Sequence, residues 1–97
     1  MKIDTTTELK NLEGETLTMG DKPMTLGRAV ARILSADQQG GKLKSFTLAR
    51  NFMQQDKVDV DSADLKNVKD SVKRNEIFNN LVSGQVLEIL EELNPDD

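Results

Sequence analysis

The sequence predicts a helix-rich α+β fold in one domain over residues 1–97, with a small N-terminal β-hairpin packed on three or four helices. Two observations predict it. Strand-like alternation with turn chemistry is concentrated in residues 8–26, while from Leu26 onward the apolar residues recur mainly at helical spacing. Leu, Ile, Val and Phe number 26 of 97 residues, above the roughly 20% below which a chain cannot bury enough to fold.

In the hairpin, Leu9 and Leu12 precede Gly14, Leu17 and Met19 alternate with Thr16 and Thr18, and Gly20-Asp21-Lys22-Pro23 supplies a turn. Two or three short strands are expected. Thr25 is the expected N-cap of a first helix whose Leu26, Ala29, Val30, Ile33 and Leu34 share one face, opposite Arg28 and Arg32. Gly40-Gly41 forms a joint. A second helix runs from Leu43 or Ser45 to Gln55, its apolar arc formed by Phe46, Leu48, Ala49, Phe52 and Met53, with Phe46 and Phe52 as aromatic core anchors. Val58-Asp59-Val60 alternates in the strand sense and is expected to pair with the hairpin. Asp61 or Ser62 caps a third helix over 62–74, whose narrow stripe of Leu65, Val68 and Val72 places it at the surface.

The last predicted helix, 75–93, is the most apolar segment. On a helical wheel its apolar residues sweep from Ile77 through Phe78, Ile89 and Val82 to Leu90, an arc of about 220°, wider than the roughly 100° a surface helix needs. Gln85 lies inside that arc and Leu87 outside it. Gln85, Leu87 and Leu90 are therefore the expected protein-interface residues, Gln85 with the alternative of bonding a buried backbone group. Gly84 reads either as a close backbone approach or as a local helix break. Residues 1–7 and 94–97 are expected to fray.

The missing residue types bear on function. Without His there is no Ser-His or Cys-His nucleophile pair and no imidazole ligand; without Cys there is no thiolate, disulfide or zinc cage. The expectation is a non-enzyme with no catalytic residue, no cofactor and no small-molecule substrate. Neither phosphate-binding glycine pattern occurs among Gly27, Gly40, Gly41 and Gly84. Asp59-Val60-Asp61-Ser62-Ala63-Asp64 begins like a calcium loop, but Ala63 and Asp64 fall where an acidic ligand and a turn glycine are needed, so no metal site is assigned and helix capping explains the carboxylates. An enzyme built on carboxylates survives only with a concave site holding a perturbed pair.

Net charge is −4, but unevenly spread. Residues 25–57 carry six cations against two carboxylates, and residues 58–97 four against ten. That asymmetry suits a head-to-tail contact between copies. Lys66, Lys69 and Lys73 form a basic stripe on the third helix, the basis of the alternative reading as a small regulator contacting nucleic acid. Scarce aromatics and negative net charge weigh against it. No apolar run spans a bilayer and no apolar signal core follows Met1, so no membrane is expected and the chain is read as cytoplasmic.

The succession Gly14-Glu15-Thr16-Leu17, Leu26-Gly27-Arg28-Ala29-Val30, Leu48-Ala49, Val58-Asp59-Val60-Asp61-Ser62-Ala63-Asp64 and Leu81-Val82-Ser83-Gly84-Gln85-Val86-Leu87-Glu88 resembles small uncharacterised proteins encoded by tailed bacteriophages and prophages. The resemblance implies an accessory or morphogenesis protein in a bacterial host's cytoplasm or associated with the virion, and it carries over no site residues. The combined expectation is a protein that works by binding another protein or by forming a homo-oligomer.

Overall fold

The structure, a computed structural model describing residues 1–93, is built around the helix that opens at Thr25. The Thr25 side chain accepts from the Arg28 amide at 3.3 Å, satisfying one of the donors a helix leaves free at its start. In the resulting α1 (Leu26–Ala36) the five residues predicted to share a face are all buried, and Ala31 joins them. Burial extends beyond one stripe because α2 (Lys42–Gln54), α3 (Ser62–Arg74) and α4 (Asn80–Glu91) all pack on α1. Asp61 caps α3 by accepting from the Asp64 amide at 2.7 Å, and Leu65, Val68 and Val72 are all buried.

Two small antiparallel sheets complete the α+β fold. β2 (Thr18–Met19) and β3 (Lys22–Pro23) form the predicted hairpin, closed by Gly20 at φ +67°. A positive φ at the first turn position suits the right-handed twist of the strands. Leu9 lies alongside, accepting from the Leu17 amide at 2.8 Å and donating to the Met24 carbonyl at 2.9 Å.

The second sheet corrects two expectations. Residues 1–7, expected to fray, include β1 (Lys2–Asp4), and β1 pairs with β4 (Lys57–Asp59) in the register Lys2↔Asp59, Ile3↔Val58 and Asp4↔Lys57. The Val58 segment thus joins the chain's first strand and not the hairpin. Ile3 and Val58 face each other in the core, which gives a three-residue strand enough burial to hold. The other segment expected to fray, 94–97, lies outside the described residues.

Just past β1, Thr5 and Gly27 form the tightest junction in the fold. Thr5 donates its amide to the Asp56 carbonyl at 2.9 Å, its hydroxyl to the Gln55 carbonyl, and accepts from the Gly27 amide at 3.0 Å. A side chain at Gly27 would meet the Phe52 carbonyl and would sit 2.7 Å from the Thr5 Cβ. Glycine is required here by space.

The last helix also differs from expectation. Asn75 ends α3, and α4 begins only after the N-cap Asn79, whose side chain accepts from the Val82 amide at 3.2 Å. Ile77 and Phe78 therefore belong to a loop, so the 220° arc combined loop and helix residues. The helix runs unbroken through Gly84, and a Cβ there would meet nothing within 4 Å, so neither reading of that glycine holds.

Opposite outcomes are expected at these two glycines in denaturant unfolding. Gly27→Ala should cost about 2–3 kcal/mol, because backbone and Thr5 must move apart. Gly84→Ala should raise stability by about 0.5–1 kcal/mol, since it removes unfolded-state freedom and meets no obstacle.

Candidate interaction surface

The residues assigned to an interface from the sequence are engaged inside the fold. Leu90 is fully buried at 0% exposure, contrary to expectation, because it continues the Val82-Val86 stripe that packs inward. Leu87 is half-buried and packs against the core. Gln85 takes the alternative foreseen for it: its Oε1 accepts from the Lys10 amide at 2.8 Å, and its Nε2 donates to the Lys10 carbonyl at 2.5 Å and the Leu81 carbonyl at 2.9 Å. The amide thus joins α4 to the extended segment before the hairpin, a partner 75 positions away. No local pattern announces it.

The basic stripe on α3 is only partly available. Lys69 and Lys73 reach Glu91 of α4 at 3.7 and 4.0 Å, and Lys66 is exposed. Of the carboxylates that mimic a calcium loop, Asp61 caps α3 and Asp64 pairs with Lys44 at 3.0 Å.

The exposed apolar surface lies elsewhere. Leu43, Phe46 and Met53 on α2 are 79, 60 and 52% exposed, and Ile77 in the α3–α4 loop is 44% exposed. Taking Phe46 as 0°, Met53 falls at about −20° and Leu43 at about 60°, one outward stripe, whereas Leu48 and Phe52 point inward at about 200° and 240°. Phe46, expected as a core anchor, is on the wrong end of that broad arc. Met53 and Ile77 meet across a shallow groove of ≈ 360 Å³ that is also lined by Ala31, Arg32, Ser35 and Ala36. Leu12, 95% exposed, sits apart near the hairpin.

Two arrangements stiffen this surface. The Arg50 guanidinium lies over the Phe46 ring, 5.5 Å from its centroid, restraining both side chains. Asn75 braces the loop that presents Ile77: its Oδ1 accepts from the Ile77 and Phe78 amides, both at 3.1 Å, and its Nδ2 donates to Ser83 Oγ at 3.1 Å and to the Val72 carbonyl.

A polar cluster holds the end of α1 to α3. Asp37 Oδ1 accepts from Arg74 Nε at 3.1 Å and the Gln39 amide at 3.0 Å; Oδ2 accepts from Ser71 Oγ at 2.6 Å and from Arg74 Nη2. Arg74, with help from Ser71 and the Gln39 amide, holds the Asp37 carboxyl well below the usual carboxylate range. Glu76 shares the adjoining depression of ≈ 380 Å³ with Asp37. The two acids are not a catalytic dyad of the usual kind, because a general acid near neutral pH needs a raised pKa and free oxygens, whereas those of Asp37 are occupied and ionised.

No protein-family model matches the chain, and no curated protein or solved structure is similar to it. Among the described residues no group of acids is placed to hold a metal ion, and no helix is long and apolar enough to cross a membrane.

Because the folded pKa of Asp37 is depressed, its stabilising effect is complete above the unfolded value of about 3.9 and is withdrawn as the pH falls below it toward the folded value. Asp37→Asn should lower stability at pH 7 by about 1–2 kcal/mol, discounted for the solvent reaching Arg74. It should also flatten the loss of stability between neutral pH and pH 2, measured by thermal unfolding across that range.

Proposed function

We propose that this chain acts without catalysis, by binding another protein or a second copy of itself. The observation that carries the reading is the outward apolar stripe of Leu43, Phe46 and Met53, continued by Ile77 across the α1–α2 groove. Four large side chains are left partly in water, three along one side of α2 and the fourth across the groove from Met53, and such clustering marks contact surfaces where scattered exposure does not. The lack of His and Cys and the engagement of Asp37 agree with that reading. The setting proposed with it, an accessory role in virion assembly, rests on the sequence resemblance alone, to which the comparisons with known proteins add nothing.

The alternative, a regulator touching nucleic acid through α3, relies on Lys66, Lys69 and Lys73. Two of these share Glu91, so the protein-binding reading is preferred.

A photoreactive phenylalanine analogue at position 46, and in a second protein at position 66, distinguishes the two. Irradiation in the cells that normally make the protein should give a discrete protein adduct from position 46. Adducts from position 66 alone, or adducts carrying nucleic acid, would overturn the proposal in favour of the alternative.

A further inference from the structure

Resting on that reading, we infer that the α2 face receives an acidic, amphipathic helix from a different protein, and not a second copy of this chain. The apolar stripe accounts for attraction; the charge around it selects the partner. From residue 38 to residue 55 there is no carboxylate. Arg50 lies within the stripe, over Phe46, Lys42 borders it on the Met53 side, and Arg32 lines the groove with Met53 and Ile77. Of the carboxylates near this face among the described residues, Asp37 is held by Arg74 and Asp64 by Lys44, while Glu76 beside Ile77 and Asp56 just past α2 lie at its edges. A partner bringing apolar residues at helical spacing bordered by Glu or Asp would cover the stripe and set its carboxylates against Lys42, Arg50 and Arg32. Complementary charge of this kind governs partner choice and encounter rate more than total affinity.

The same charges argue against a second copy. A two-fold contact through α2 would bring a face carrying Lys42, Arg50 and Arg32 onto the same cationic face of the second copy. A head-to-tail contact would bring the stripe onto the acidic C-terminal part, where Glu91 is already shared by Lys69 and Lys73 and Ile77, the one large exposed hydrophobic residue there among the described residues, belongs to the same face as the stripe. Nucleic acid is disfavoured because three of the four apolar side chains are aliphatic and offer no stacking plane.

The test uses the whole chain and three fluorescein-labelled synthetic helices of about 18 residues. They carry Leu at i, i+3 and i+7 and differ only in their flanking residues, Glu, Gln or Lys. Fluorescence anisotropy should show the Glu peptide binding at least about tenfold more tightly than the Lys peptide, a preference that shrinks with added salt. Phe46→Ser should abolish binding of the Glu peptide, and Arg50→Gln should narrow the preference while circular dichroism shows both variants folded. Equal binding of the three peptides overturns the charge inference yet leaves a protein-docking face standing. No binding by any of them, together with no protein photoadduct at position 46, removes both. A dimer in sedimentation that Phe46→Ser dissolves, or an oligothymidine that competes for the face, overturns the inference in favour of a second copy or of nucleic acid.

Discussion

The close approach at Gly27 sets how α2 and the segment after β1 seat on α1. Lacking a side chain there, α1 lets the last turn of α2 come down until the Phe52 carbonyl and Thr5 occupy the space a Cβ would take. Thr5 then closes the junction with bonds to Gln55, Asp56 and Gly27, so the turn after α2, the segment after β1 and the start of α1 meet at one point. With Leu48, Ala49 and Phe52 drawn inward by that contact, geometry leaves no choice for the opposite side of α2. Its stripe of Leu43, Phe46 and Met53 is left exposed to water.

The parts of this fold written in local signals were legible. Thr25 with the helical spacing of Leu26 to Leu34, and Asp61 before Leu65, Val68 and Val72, each combine a cap with a periodic stripe, and α1 and α3 follow both. The hairpin turn at Gly20 is equally local. What escaped was long-range or two-sided. Lys2-Ile3-Asp4 is too short to declare itself a strand, and only the facing of Ile3 by Val58, far along the chain, makes it one. Asn75 and Asn79 each carry cap chemistry, but a run of apolar residues across them reads as continuous helix.

The candidate surface was misplaced for a related reason. Apolar residues are most numerous on the last helix, yet Leu90 there is core. The better signal lay in α2, whose apolar residues spread over both of its sides while only one side can meet α1. Its lack of carboxylates was visible as well, in the basic middle of the chain, but which of its cations remain exposed depends on pairings such as Lys44 with Asp64 that only the fold reveals.

The fold does not need the stripe it exposes. Replacing Leu43 and Phe46 together by Ser and measuring the free energy of unfolding in urea tests this directly. The expected change is within about 1 kcal/mol, as for other exposed positions that lose only a cation–π contact. A loss of several kcal/mol would show that these side chains belong to the core, and the face would no longer be free to receive a partner.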